Sequence, residues 1–222
     1  MFLLEQIINE QNTNNIHSHE LKDINIQKYK YLISNDCQLD MYTKYKNKIK
    51  ILYCDILNYS DECLVNPANE MLTGGGGIDG IVHNLGGEKL MEEIYNISLN
   101  NYNCRLLESQ AILTNGYNDK YKLFVHVVPP YYDTNNNLKY ESMEKSFENV
   151  FNIISSSNIK SVTFPAIGTG FYGFHMYDYT IICFKKIIDF LETNPDFKEI
   201  TLITRNKLQY NYYNVIFNDY IH

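Results

Sequence analysis

Apolar and polar residues alternate along this chain with two periods, and the switch between them marks out the elements. In "KIKILYCDIL", Ile49, Ile51 and Tyr53 alternate with Lys48, Lys50 and Leu52, which predicts a strand. "ECLVNPA" is a short apolar run that reads as a buried strand, and "GIDGIVHNLGGEKLMEEIYN" reads as a helix start, a Gly-Gly interruption and more helix. "QAILTNGY" and "KLFVHVVPP" are two strand candidates separated by the turn-rich "NGYNDK". Tyr140, Met143, Phe147, Val150 and Ile154 then recur at helical steps, as do Tyr177, Ile181, Phe184, Ile188 and Leu191. Between these two helices lies the strand "SVTFPAI", ending at "GTGFYGF"; a strand "EITLIT" and a helix "LQYNYYNVIF" follow. Strands alternating with helices predict an α/β fold layered around a largely parallel central sheet.

Residues 1–45 carry a weaker pattern. "FLLEQIIN" and "LKDINIQKYKYLI" read as short helices around a polar loop, an N-terminal extension packed on the core formed by residues 46–222. The whole chain of 222 residues, 45% hydrophobic, suffices for one well-cored domain with an appendage. No long uncharged apolar run suggests a membrane span, and the apolar start breaks at Glu5 without a basic leader. Five scattered cysteines without a CxxC pair read as reduced thiols, which places the chain inside a cell, in cytoplasm or nucleus. A formal net charge of −7 leaves no basic field for nucleic acid, so any phosphate ligand has to be held by local dipoles.

That constraint draws the eye to "VNPANEMLTGGGGIDGIVH", Val65 to His83, and to "GTGFYGF" further along. Both glycine-rich stretches follow a strand and precede a helix, so both belong at the carboxyl edge of the sheet, where α/β proteins bind ligands. Bare backbone N–H groups there form a concave nest for an anion, reinforced by a helix N-terminus. Two facing loops would hold a diphosphate without a lysine. A single glycine run also reads as a flexible linker. Gly75-x-Gly77-x-x-Gly80 matches the dinucleotide fingerprint formally, but roughly eight residues part it from the strand, where the fingerprint needs a tight turn. No GKS or GKT follows, and no acidic residue ends the next strand about twenty residues on, so neither a P-loop nor a nicotinamide oxidoreductase fits.

In order and spacing, "CDIL…LVNPANEMLTGGGGIDGIVH", "AILTNGY", "KLFVHVVPP" and "VTFPAIGTGFYGF" resemble the macrodomain, the ADP-ribose-binding module. The resemblance runs from Lys46 to Phe217 and implies a three-layer α/β/α macrodomain over residues 46–222, its central sheet mixed and largely parallel. The GGGG-I-D-G form of the first loop looks most like the MacroD-type branch, whose members remove mono-ADP-ribose from acidic side chains.

The resemblance implies a role for each candidate residue. Asp55 would accept from the adenine amino group with Ile56 contributing backbone, although an Asp there also reads as a helix cap. Pro67, Ala68 and Asn69 would lie along the ligand, Asn69 bonding the distal ribose, while Asn66 supports the loop; either Asn is also a common turn former. Gly74, Gly75, Gly76, Gly77 and Ile78 would cradle phosphate beside Asp79, the acid of the catalytic pair with Asn69. His83, one helical turn beyond Asp79, reads either as a supporting contact to that acid or as a packed core histidine. In the second loop Gly168, Thr169, Gly170, Phe171 and Gly173 would surround the phosphates, Tyr172 would cover the ribose, and Phe174 would anchor the loop from the core. His126 reads as structural.

Some positions depart from the family pattern. Cys54 stands for the usual Gly before the adenine Asp, Gly168 for a Ser, and Ser109-Gln110 where glycine is often found before "AILT". Arg205 replaces the aromatic that stacks on adenine, a role a guanidinium can also take. The expected function is hydrolysis of mono-ADP-ribose from modified Asp or Glu, or of related esters such as O-acetyl-ADP-ribose. The rival is a reader that binds ADP-ribose without chemistry; pure readers often lack the Asn69–Asp79 pair. No cofactor is expected, and neither the zinc-dependent signature nor the paired-Glu motif of poly-ADP-ribose glycohydrolases is found. Expected partners are ADP-ribose and mono-ADP-ribosylated proteins, with nucleic acid only as ADP-ribosylated ends, no membrane, and a monomeric chain.

Overall fold

The computed structural model describes residues 45–131 and 139–219. The two helices expected before Tyr45 fall on residues outside this range. In chain order the elements are β1 (Ile49–Tyr53), β2 (Asp61–Pro67), α1 (Gly77–Tyr95), β3 (Ala111–Asn115), β4 (Tyr121–Val127), α2 (Tyr140–Ser156), β5 (Ser161–Phe164), α3 (Met176–Thr193), β6 (Glu199–Thr204) and α4 (Lys207–Asp219). Among the described residues the strands form one sheet in the order β1-β6-β5-β2-β4-β3. Its pairings are parallel except for β3 against β4, which the short "NGYNDK" connection makes antiparallel.

Side chains alternate between the two faces of each strand, and here both faces are covered. Cys63 and Val65 of β2, Val125 and Val127 of β4, and Ile200 and Leu202 of β6 face one core, shared with Phe147, Phe184 and Tyr213 of α2, α3 and α4. Leu64, Phe124 and Ile203 face the other, against Val82, Leu90 and Ile94 of α1. The result is three layers, with α1 alone on its side among the described residues. This also corrects the reading of β1. Ile49 and Ile51 enter the first core, but Leu52 packs in the second, and Tyr53 at the strand end is 51% exposed. A strand with helices on both sides sorts its residues between two cores, not between core and water.

The helical faces of α2 and α3 lie where the periodicity puts them, with Met143, Phe147, Val150, Ile154, Tyr177, Ile181, Phe184, Ile188 and Leu191 all buried. In α1 the Gly-Gly interruption is a kink, where Gly87 takes φ 59° and ψ −151°. Because β1, β6, β5 and β2 run in parallel, the loops after them emerge along one edge, and the site lies there.

Candidate functional site

The loops after β2 and β5 come together over a cleft of about 750 Å³ that opens beyond the strand ends. Gly75, Gly76 and Gly77 line it on one side, and Gly168, Thr169 and Gly170 face them from the other. Two glycines explain why the first loop can take this path. Gly77 opens α1 at φ 61°, left-handed backbone that a side chain disfavours. At Gly80 a Cβ would stand 2.5 Å from the Gly75 carbonyl oxygen, so the loop folds onto the helix only over a bare backbone.

The amides of Gly170, Phe171 and Tyr172, like those of Gly74, Gly75 and Gly76, have no hydrogen-bond partner among the described residues. The first-turn amides of α1 have none within the helix. The second loop braces itself: the Gly173 N–H donates to the Gly170 carbonyl at 3.0 Å and the Phe174 N–H to the Gly168 carbonyl at 2.9 Å. Phe174 is buried in the core as the loop's anchor, whereas Phe171 is 95% exposed and belongs to no core. Tyr172 is tied down. Its hydroxyl donates to the Ala68 carbonyl at 2.9 Å and its ring lies 4.2 Å from that of Tyr131.

At the loop junction sits a carboxylate that water barely reaches. Asp79 is 6% exposed although it stands in the first turn of a helix. The Asn66 side-chain amide donates to Asp79 Oδ1 at 2.7 Å, and Asn69 Nδ2 lies 3.5 Å from Oδ2. Burial pushes the Asp79 carboxyl above its ordinary range, opposed by the Asn66 hydrogen bond and by His83. The same burial pushes His83 down against the pull of Asp79, so the imidazole is neutral at pH 7.

The structure divides the work of the two asparagines differently from the sequence reading. Asn69 organises the loop: its Oδ1 accepts from the amides of Met71 at 3.1 Å and Thr73 at 3.2 Å, and its Nδ2 donates to the Gly74 carbonyl at 2.9 Å. Asn66, expected to support the loop, is fully buried and binds Asp79 and His126 instead. The cause is register: Asn66 is inside β2, directly across from His126 of β4, and points under α1.

At the far end of the cleft, Asp55 has both oxygens engaged. It caps the short 3₁₀ turn of Ile56–Asn58 by accepting from the Leu57 amide at 2.9 Å, and pairs with Arg205 Nη1 at 2.8 Å. The capping reading of Asp55 therefore holds. Arg205, expected as a stacking surface, is tethered through Nη1 by a carboxylate 150 residues away in sequence, and it lines the cleft.

Of the remaining predicted residues, Ile56, Pro67 and Ile78 also line the cleft, while Ala68, Gly74, His83, Gly173 and Phe174 do not. His83 lies behind the first loop, its Nε2 3.6 Å from Asp79 Oδ1 and its Nδ1 3.1 Å from Met91 Sδ, and borders a separate depression with Glu88 and Tyr95. Lining residues the sequence reading did not single out include Tyr131, Met176, Ile203, Asn206 and Gln209. Tyr131 directly follows the quoted "VVPP", and Asn206 follows Arg205; for Gln209, a polar residue in the tyrosine-rich last helix, no signal marked it. Among the described residues no group of three or more His, Cys, Asp or Glu is placed to hold a metal, and no helix is long and apolar enough to cross a membrane.

The Macro domain family model matches residues 65–183, more than half of the chain. "Macro domain-containing protein TTE0995" of Caldanaerobacter subterraneus is 29% identical over 174 residues, 78% of this chain and 98% of that protein. "O-acetyl-ADP-ribose deacetylase 2" of Pantoea vagans is 27% identical over 172 residues, 78% of this chain and 99% of that one. Among solved structures, a mutant of the Oceanobacillus iheyensis macrodomain with ADPR is 27% identical and superposes with a TM-score of 0.68, over 75% of this chain and 90% of that chain. Sequence and architecture agree, and the chain belongs to the macrodomain family.

Proposed function

We propose that this chain binds ADP-ribose in the cleft and hydrolyses ADP-ribosyl esters, either O-acetyl-ADP-ribose or mono-ADP-ribose on Asp and Glu of proteins. The observation that carries the reading is Asp79: a desolvated carboxylate held by Asn66 at the meeting point of two amide-lined loops. An anion-binding nest gains nothing from a buried acid beside it, since like charges repel. A proton-accepting role gives it a reason to be there. The relative named O-acetyl-ADP-ribose deacetylase and the relative solved with ADPR support the same direction.

In this reading the diphosphate lies between the amides of Gly170, Phe171 and Tyr172 and the first turn of α1. The base lies at the Asp55–Arg205 end and the distal ribose against Asn69 and Tyr172. Asp79 Oδ1 is committed to Asn66, so Oδ2 orients the attacking water or takes a proton from a ribose hydroxyl. The ester at that ribose breaks, giving ADP-ribose and the free acid. Tyr172, fixed by its bond to Ala68, keeps bulk water from the reacting end. His83 stands behind Asp79 and positions it without reaching ligand. Neither metal nor cofactor takes part.

The test compares wild type with Asp79→Ala on an ester-linked ADP-ribose substrate, with calorimetric titration of ADP-ribose alongside. Turnover should fall by about 10²–10⁴-fold, the usual share of general acid–base catalysis, while affinity stays within about tenfold. Equal loss of both would remove Asp79 from the chemistry. Wild type that binds ADP-ribose tightly without releasing product would make the chain a reader.

A further inference from the structure

Behind Asp79 a row of buried polar side chains crosses the sheet. Asn66 Nδ2 lies 3.0 Å from His126 Nδ1, and His126 Nε2 lies 2.8 Å from Thr114 Oγ1. Asn66, His126 and Thr114 belong to the adjacent strands β2, β4 and β3. Each stands two residues from an apolar neighbour (Leu64, Phe124 and Ile112) in the core under α1. They therefore occupy positions where the pleat calls for hydrophobic side chains, and they are 0%, 0% and 2% exposed. A valine or leucine at any of them would avoid the cost of burying polar atoms, which reaches about 1–3 kcal/mol for each one left unpaired. One such atom is present: Asn66 Oδ1 is buried with no partner.

The hydrogen-bond directions in this row are forced. A carboxylate only accepts, so the Asn66 amide must turn Nδ2 toward Asp79; flipped, it would set Oδ1 against the carboxylate. The second Nδ2 hydrogen then points at His126 Nδ1, which has to present its lone pair. That puts the imidazole proton on Nε2, where the Thr114 hydroxyl accepts it. Burial, with a smaller push from His83, drives His126 down to about 3, so the ring stays neutral and keeps this tautomer.

We infer that His126 and Thr114 are positioning residues for Asp79: the threonine oxygen takes up the Nε2 proton, which keeps the Nδ1 lone pair turned to the Asn66 amide, and the amide holds the carboxylate ready on its Oδ1 side. None of the three lines the cleft. The inference deepens the hydrolytic reading and rests on it for the effect on turnover; the tautomer and the carboxylate can be observed without catalysis. The titratable groups around Asp79 are His83 on its own helix, Tyr172 across the cleft and His126 beyond Asn66.

Ring nitrogen NMR shifts of His126 in the wild-type chain, with the side-chain carboxyl shift of Asp79 followed across pH, test it directly. The expected result is a neutral ring protonated on Nε2 from pH 5 to 9. Thr114→Val keeps the shape and removes the acceptor, so the ring is released to carry its proton on Nδ1 and the Asn66 amide turns away. Losing that donor raises the Asp79 pKa further, because the Asn66 hydrogen bond favours the ionised carboxylate. The acidic limb of the pH–rate profile moves up with it, kcat on that limb falls severalfold, to about tenfold at most, and ADP-ribose affinity holds within about threefold. Thr114→Ser restores both titration and rate. A wild-type ring protonated on Nδ1, or an Asp79 titration unmoved in Thr114→Val, would overturn the relay. An Nε2-protonated ring in a wild type that hydrolyses nothing would uphold the relay's geometry and remove only the enzymatic reading.

Discussion

Asp79 shows at the scale of one residue how far this chain departs from what stability alone would select. Its ionised form is disfavoured by burial, and its folded-state pKa is raised above that of the unfolded chain. The linkage is direct: the protonated carboxyl favours the fold, and that contribution disappears as pH rises through the raised folded value. Asp79→Asn removes the charge and keeps an acceptor for the Asn66 amide. Thermal melts should therefore show Asp79→Asn a few degrees more stable than wild type at pH 7–8, with the gap closing toward pH 4, while ester hydrolysis is lost. A variant that melts lower at pH 8 would mean that the Asn66 and His83 contacts outweigh the cost of burying the charge. The trade of stability against chemistry is common where a site needs an unfavourable charge.

At the scale of elements, the first loop separates two jobs that glycine can do. A Cβ at Gly76 meets nothing within 4 Å and its φ of −89° suits any residue, so the fold tolerates a side chain there and only the cleft is filled. Gly80 is the opposite case, its Cβ direction blocked by the Gly75 carbonyl oxygen at 2.5 Å. Gly76→Glu should leave the melting temperature within about 1 °C and abolish ADP-ribose binding by calorimetry, since surface changes cost little. Gly80→Ala should lose about 1–3 kcal/mol of stability, the usual penalty for overpacking, and its denaturation midpoint reports it. Similar behaviour of the two variants would contradict this division.

The same elements show which parts of the structure the sequence could reveal. The faces of α2 and α3 repeat every three or four residues, and the two glycine loops are contiguous, so both are readable along the chain. The split of β1 between two cores is not, because alternation alone does not say whether the far side of a sheet is water or a helix. Contacts set by register are hidden as well. Asn66 meets His126 across 60 positions and Asp55 meets Arg205 across 150, so sequence could name these residues but not their partners. That is why Asn66 reads as a loop former, and the Asp55 partner of Arg205 stays hidden, until the strands are laid side by side.

Over the whole molecule, the placement of the cleft follows from parallel strands delivering their loops to one edge. With a net charge of −7 the chain offers an anionic ligand no long-range attraction, so the affinity has to come from short-range amides and from fit. Ligand that binds only the folded chain stabilises it by mass action, about 2.7 kcal/mol at a concentration 100 times Kd. For a domain of this size that corresponds to a rise in Tm of about 5–10 °C. Scanning fluorimetry with ADP-ribose should show it in wild type and not in Gly76→Glu; a wild-type melt indifferent to the ligand would remove the binding assignment.

One segment, α1, has a double duty. Among the described residues it is the only α-helix packed on the Leu64–Phe124 side of the sheet, beside loop residues such as Leu72 and Leu106, and its first turn carries the buried carboxylate. Lifting its first half therefore displaces Asp79, the acid proposed to do the chemistry, together with Val82 of that core. In a heated or chemically stressed sample, loss of turnover should announce exposure of that apolar face, so an activity assay doubles as a gauge of when the chain becomes prone to clump.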